Sequence, residues 1–553
     1  MSAASTRALE RDAARAGRAI LAAFVFTAVF FAGVFPPFSN PNELSRLETV
    51  YAAVELGTFR IDGAIPVLGD HEDKSLSGGH AYSNKAPGLA LAAIPVYRAL
   101  RLFRPAPTSA SDPIFVWLRI LTVSAAGALA LARFLRRVLP RPGGGLVGFA
   151  LAFGTPFLFY ARSFFAHAWA ASLLFLAWDL LETARARAGT RRVGLFVACA
   201  GALAGWAAIS EYSVLPLAAF LVLAVRPRRG VAAFAGGAAV ALAALLAYDA
   251  VCFGSPFVLS SAREAHGSYA ELARSGLFGV GAPRLAVARD YLFHPARGLL
   301  LFSPFWLWLP AGFVRGWRAD RRSDLPLAAG VLLFFILLTG YPNWHGGWSL
   351  GDRYLLPALF LAGLALPSAL ETPASRGAFA AAVVFSGAVF VWTTASFPHF
   401  PLETPWPPAT ASLWFLRRGW YAGNVLGGLG FASLLAPILA AAAALLAALR
   451  SARPVRPGRL AAAAASLLLF GIGLAAPIRT PYLGKLWRAA VFGAYSGRDP
   501  ERRELERVVR EASTPLERRQ AAGAWRLYGV GRISKTFQRA SHAPPRRIAE
   551  LDR

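Results

Sequence analysis

Residues 36–62 read PPFSNPNELSRLETVYAAVELGTFRID, and the same polar stretch continues through HEDK (71–74) to YSNKAPGLALAAIPVY (82–97). Between Pro36 and Gly88 it carries seven carboxylates: Glu43, Glu48, Glu55, Asp62, Asp70, Glu72 and Asp73. Most other breaks between apolar segments are short and rich in arginine. A long polar loop between apolar runs marks a working surface, because connections kept at that length are usually functional. Everything on either side of it reads as membrane. The chain has 553 residues, is 56% hydrophobic and 16% charged, and has a mean hydropathy of +0.46. Its repeated apolar runs approach the ~20 residues that a transmembrane helix needs.

Working outward, the first apolar run, Ala19 to Phe35, follows Arg7, Arg11, Arg15 and Arg18. It lacks a small-residue cleavage site, so it reads as an uncleaved signal anchor after a cytoplasmic N-terminus, residues 1–18. Further apolar segments lie at 114–132, 145–160, 164–182, 193–209, 212–225, 231–253, 298–314, 325–340, 353–370, 377–396, 424–449 and 460–478. Arginine clusters alternate between them, around residues 133–141, 185–192, 226–229, 315–322 and 450–459, while the breaks near 162, 211, 345 and 400 carry few. The positive-inside rule puts the first set in the cytoplasm and the second outside.

That alternation survives only if 86–103 does not cross the bilayer. Its uninterrupted apolar part, Ala86 to Tyr97, is too short to span, and Arg98, Arg101 and Arg104 follow it. It is expected to lie at the outer interface. The fold class expected is all-α: a polytopic integral membrane protein of about thirteen transmembrane helices. Residues 19–479 form the membrane domain, and 36–113 form a first outer loop with interfacial helices. Fourteen spans, with the C-terminus inside, is the alternative. Residues 480–553 change composition and read as a small charged helical tail.

The net charge of +28 would suggest nucleic acid for a soluble domain, but here the arginines flank apolar segments, so no nucleic-acid partner is expected. Only four of the 58 basic residues are lysines, a coding bias more than a chemistry. Cys199 and Cys252 fall inside apolar segments, which supports neither a disulfide framework nor a thiolate metal site. His71, Glu72 and Asp73 lack the spacing of helical metal motifs, so no metal is expected. No phosphate-cradling glycine loop or dinucleotide fingerprint is present, which argues against a cytoplasmic nucleotide-sugar donor.

Asn40, Pro41 and Gly57 suit the cap, first turn and stop of a helix. Leu44, Leu47, Val50, Tyr51 and Val54 recur at helical spacing within it. At 100° per residue Glu43 falls on the apolar side, near Leu47, Val50 and Val54. It can serve a capping box with Asn40, and a carboxylate against an apolar wall also suits a general base. Lys85 opens the interfacial helix, where an ammonium opposes the helix dipole, so it needs an anionic partner. Arg119 sits early in the second span, where an unpaired charge is costly. Arg162, His167, Glu211 and Tyr212 map to the same side, together with Trp344, His345, Trp348, Asp352 and Arg353 of YPNWHGGWSLGDRYLLP. The tryptophans alone would fit an aromatic belt, and His167 alone a satisfied hydrogen bonder.

The ordered set resembles the GT-C superfamily of polyprenyl-phosphate-dependent membrane glycosyltransferases, in particular glycosyltransferase family 39-like and protein O-mannosyltransferase-like members. The likeness covers about residues 18–360: an acid just after the first span (NPNELSR), a Lys/Pro-bearing interfacial helix (NKAPGLALAAIP), Arg119, GTPFLFYARSFFAHAW, FGSPF and GGWSLGDRYLLPAL. It implies an inverting transfer of a sugar from a polyprenyl-phosphate donor to a glycan, lipid or protein hydroxyl, at the extracytoplasmic side of the inner (plasma) membrane, without a cofactor. By position Glu43 would be the base, and Lys85, Arg119 and Arg353 would contact the donor phosphate. Glu72, Asp73, Arg162, His167, Glu211, Tyr212, Trp344, His345, Trp348 and Asp352 would line the substrate site. Many relatives have two adjacent acids in this loop, whereas Leu44 follows Glu43 here. A lipid-linked-sugar flippase is the alternative reading; it would show charges near mid-membrane and repeated halves.

Overall fold

The computed structural model describes residues 3–32, 40–190, 192–226, 228–265, 270–271, 279–294, 297–319, 321–347, 349–395, 424–452, 465, 507–515 and 518. Most of the expected tail, the expected span at 460–478 and Trp348 lie outside the described residues.

The protein is an all-α, multi-pass membrane protein. Among the described residues six helices are long and apolar enough to cross a bilayer: Glu10–Phe30, Pro113–Val138, Val193–Ser210, Arg228–Phe253, Pro373–Ala395 and Ala432–Ser451. Shorter apolar helices occur at Gly144–Phe153, Tyr212–Ala224, Pro326–Leu338 and Arg353–Gly363. Several segments that read as single spans are interrupted. Residues 298–314 form a helical turn Leu299–Phe302, a 3-10 turn Pro304–Trp308 and the start of helix Leu309–Ala319. Ser303 leaves the helical region (φ −131°, ψ 64°) ahead of Pro304, in line with the way a proline ring disfavours that region for the residue before it. Residues 353–370 break likewise into Arg353–Leu355, Leu356–Gly363 and Leu366–Ala369.

The helices used below are α1 (Ala3–Phe30), α2 (Pro41–Glu55), α3 (Gly88–Arg101), α4 (Pro113–Val138), α5 (Ala166–Ala186), α6 (Val193–Ser210), α7 (Val231–Phe253) and α8 (Pro373–Ala395). In α2, Asn40 accepts from the Asn42 N–H at 2.9 Å and Pro41 opens the helix, as its sequence demands. At 14 residues α3 is about 21 Å long, short of the ~30 Å hydrocarbon core, as expected of an interfacial helix. The Tyr97 hydroxyl and the Arg101 guanidinium donate to Glu55 and tie α3 to the end of α2.

Between α2 and α3 the chain forms a feature that periodicity did not suggest: an antiparallel hairpin, β1 (Lys74–Ser77) paired with β2 (His80–Ser83). Gly78 and Gly79 both take positive φ (58° and 78°), the backbone that a two-residue hairpin turn needs. Ser45 of α2 holds the hairpin, donating to the Asp73 carbonyl at 2.8 Å and meeting the Ser83 hydroxyl at 2.7 Å. The loop 258–264 closes over it, with the Ser75 hydroxyl donating to the Ser260 carbonyl at 2.7 Å.

Helices α6 and α7 approach until backbone meets backbone. A Cβ on Gly201 would collide with the Phe234 carbonyl, and one on Gly237 with the Ala198 carbonyl. Small residues drive such contacts in lipid, where burying apolar surface between helices gains little. Elsewhere along α7 Val240, Leu242 and Val251 are exposed, as lipid-facing residues are. Opening this contact should loosen the wall behind the hairpin. Gly237→Val is expected to lower the apparent Tm in detergent by several degrees, consistent with the ~1–3 kcal/mol typical of overpacking; a thermal unfolding scan against the wild type measures it.

Candidate active site

One end of the bundle gathers charged side chains from remote parts of the chain. The first pair is Glu43 and Arg119, with Arg119 Nε donating to Glu43 Oε1 at 3.1 Å. The Phe164 backbone N–H donates to the same oxygen. α2, α4 and the turn before α5 therefore meet on one carboxylate. Immediately after Arg119 the helix widens into a π turn, Ile120–Ser124, an irregularity common at functional sites.

The second pair answers the requirement read at Lys85. Its ammonium lies 2.9 Å from Asp73 Oδ2, while Asn84 Nδ2 lies 3.5 Å from Oδ1 and donates to Glu264 at 2.7 Å. Burial pushes the Asp73 carboxyl up, but Lys85 outweighs it and the net shift is downward. Its neighbour Glu72 moves the other way: burial, helped by the Asp73 charge, raises it to about 7. Glu72 Oε2 is enclosed without a hydrogen-bond partner among the described residues. A third pair, Glu48 and His71, is buried beneath the hairpin at 2.7 Å.

Opposite the hairpin, Glu211 caps α6 and lies 3.1 Å from His167 Nδ1. Burial raises the Glu211 carboxyl, and His167, Arg46 and Arg353 together more than reverse it, to about 2. The His167 ring packs against Tyr354 at 5.3 Å and Phe165 at 6.2 Å. Arg353 lies over both Phe165 and Tyr354, at 5.5 and 5.1 Å, a placement that favours a delocalised cation. Its Nε has no hydrogen-bond partner among the described residues.

Arg46 links these groups and was absent from the sequence expectations. It is 3% exposed, donates to the Asn42 carbonyl at 2.8 Å, and also leaves its Nε without a hydrogen-bond partner among the described residues. Burial lowers its guanidinium to about 10 against the fields of Glu211, Asp73 and Glu43, with Arg353 near enough to repel it. The signal was available: Arg46 stands three residues after Glu43 and shares its helix face.

Other expected residues go elsewhere. Arg162 donates to the Phe31 carbonyl at 2.6 Å and the Thr394 carbonyl at 3.4 Å, between the Phe31 and Phe159 rings. It closes the ends of α1 and α8. Trp344 packs edge-on against Tyr291 and His294. His345 accepts the Gly347 N–H on Nδ1 at 3.1 Å, and burial, then Arg297 and Arg353, hold it down near 4, so it is neutral at pH 7. Asp352 is buried beside Arg297, and burial raises its carboxyl well above the usual range. Arg297, also missed from sequence, braces the turn by donating to the Gly347 carbonyl at 3.0 Å and Ser349 at 2.9 Å. Tyr212 turns its hydroxyl toward Asp249 and Ser260. Among the described residues no three His, Cys, Asp or Glu side chains converge in a group able to hold a metal.

No family model matches the chain, and no curated protein matches it. Solved structures do. The chain is similar to ArnT from Cupriavidus metallidurans in the apo state (14% identity, TM-score 0.44, 89% of this chain and 79% of that one). It is similar to the same protein bound to undecaprenyl phosphate (15%, 0.46, 86% and 78%). A third likeness is to the archaeal oligosaccharyltransferase AglB from Archaeoglobus fulgidus, in complex with an inhibitory peptide and a dolichol-phosphate (14%, 0.40, 89% and 59%). Superposition at this level carries no activity across.

The Glu72 shift has a thermodynamic sign. Its folded pKa is raised, so ionising it costs stability: none below the ordinary carboxylate pKa, growing as pH rises, complete above about 7. Glu72→Gln should therefore gain on the wild type between pH 5 and pH 8, by up to ~3 kcal/mol. Thermal unfolding in detergent at the two pH values checks it.

Proposed function

We propose that the protein is an inverting membrane glycosyltransferase that moves a hexosyl or pentosyl group from a polyprenyl-phosphate donor to an acceptor hydroxyl. We place the reaction at the extracytoplasmic face of the plasma membrane. The observation that carries the reading is convergence: acids and cations from α2, the hairpin, α4, the end of α6 and the 353 turn meet at one end of the bundle. Charged groups at membrane depth mark substrate paths.

The chemistry follows from which charges are already engaged. Arg119 is held by Glu43 and Lys85 by Asp73. Arg46 and Arg353 each keep an enclosed Nε–H without a hydrogen-bond partner among the described residues, and they lie near enough to repel, both within the field of Glu211. Two cations that repel each other would both gain from an anion between them, and guanidinium forks suit phosphate oxygens. In this reading the donor phosphate sits against Arg46 and Arg353, with Lys85 and Arg119 as the outer members of the same positive field. Stabilising charge on the leaving phosphate is where such a site accelerates transfer. The carboxylates of the first loop, Glu43 and Glu72, are the candidates to receive the acceptor proton. His167 and Glu211 would line the sugar and acceptor side. The reading calls for membrane lipid and a lipid-linked donor as partners, and for no nucleic acid.

The test is incubation of purified protein with a panel of radiolabelled polyprenyl-phosphate sugars, read as donor consumption and product formation. Transport of the lipid across vesicles without cleavage would sink the reading in favour of a flippase. Arg353→Met and Arg46→Met are each expected to weaken binding of polyprenyl phosphate by ~10–100-fold, the loss of one charge-assisted hydrogen bond. Titration of the labelled lipid measures it, and unchanged affinity in both variants would place the phosphate elsewhere.

A further inference from the structure

Transfer to a hydroxyl needs a group that takes the proton as the new bond forms, and the inference here rests on the transferase reading. The first loop offers several carboxylates, and their surroundings separate them. Glu43 Oε1 already receives the Arg119 Nε–H and the Phe164 N–H, so a proton added there would face two donors. Asp73 is occupied by Lys85 and Asn84. Glu48 is fully buried on His71. Glu72 differs from these three: it stands at the mouth of the hairpin, it has no ion pair among the described residues, and its Oε2 is enclosed and unpartnered there. Its own carbonyl accepts the Lys74 N–H at 2.8 Å, which anchors its backbone to the start of β1.

We propose that Glu72 is the general base. Its carboxylate takes the acceptor hydroxyl proton while the acceptor oxygen bonds to the anomeric carbon. The bond from that carbon to the phosphate oxygen breaks, and its electron pair leaves with the polyprenyl phosphate. The step balances as written: a protonated Glu72 carboxyl, a glycosylated acceptor and a polyprenyl phosphate. Glu43 is then a positioning residue, holding Arg119 and the turn before α5 in register with α2.

The hairpin explains why Glu72 stays unpaired although a lysine is near. Asp73, the next residue, takes the Lys85 ammonium at 2.9 Å, so Glu72 feels that cation without bonding to it. The charged groups bearing on it are Asp73, which disfavours ionisation, and His71 and Lys85, which favour it. Arg46 from α2 lies beyond Asp73, and Glu264 from the covering loop is occupied by Asn84. Enclosure and the neighbouring carboxylate leave Glu72 titrating near 7, where a base both accepts a proton and is ionised at working pH.

The experiment measures kcat/KM against pH for wild type, Glu72→Gln and Glu43→Gln, using a polyprenyl-phosphate sugar that the wild type consumes. Wild type should show an acid limb near pH 7. Glu72→Gln should lose ~10²–10⁴-fold in kcat with a flat profile between about pH 6 and pH 8. Its binding of polyprenyl phosphate should stay within ~3-fold of wild type, which also reports that the variant has folded. Glu43→Gln should be slower yet keep the limb. A limb that persists in Glu72→Gln, or one that vanishes in Glu43→Gln instead, overturns the assignment. Wild-type protein that consumes no donor overturns the transferase reading and this one with it; transfer undiminished in Glu72→Gln overturns this one alone.

Discussion

Most charges at the working end of this bundle are largely enclosed, and enclosing a charge is costly unless it is paired or neutralised. That constraint folds the first loop. Arg119 enters the membrane domain on α4 and Lys85 opens α3, and each draws a carboxylate from the loop onto itself, Glu43 and Asp73 respectively. These contacts join segments 76 and 12 residues apart in sequence and set α2 against α4 and α3. The loop is therefore ordered by electrostatics in a low-dielectric setting, with Ser45 and the hairpin hydrogen bonds refining its position.

A second theme is what the arginines do. In the sequence they look like topological markers, and clusters at helix ends do set orientation. In the folded chain several also repair broken helices. Arg162 donates to the last carbonyls of α1 and α8, Arg141 to the Leu364 carbonyl at 2.7 Å, and Arg297 to carbonyls in the turn before residue 353. An interrupted helix leaves carbonyls that lipid cannot satisfy, and a guanidinium supplies donors. Arg141 thus satisfies a carbonyl at the interruption of 353–370, the segment that carries Arg353 into the site.

Of the site, the members whose chemistry is local were legible. Asn40 and Pro41 announce α2, the helical spacing of Leu47, Val50 and Val54 turns Glu43 inward, and the dipole at Lys85 demands an anion. Arg46 and Arg297 were not legible as site residues, since an arginine on an amphipathic helix or in a loop ordinarily faces water. The hairpin was missed because SLSGGHAYS is short and polar, and its two glycines read as a connector. Glu72 was visible as an acid, but its lack of a partner depends on Asp73 capturing Lys85.

The sequence by itself determined that the chain is a polytopic helical membrane protein with one acidic loop, because a run of apolar residues long enough to cross lipid can do little else. It also determined which charges would need partners, because desolvation cost follows from residue type and depth. Which partner each one took was decided only by tertiary structure. Pairing depends on distances across segments up to 180 residues apart, as for Asn84 and Glu264, and no local pattern encodes them. The difference between a carboxylate held by a cation and one left unpartnered beside it is a matter of a few ångströms, set by how the hairpin packs on α2.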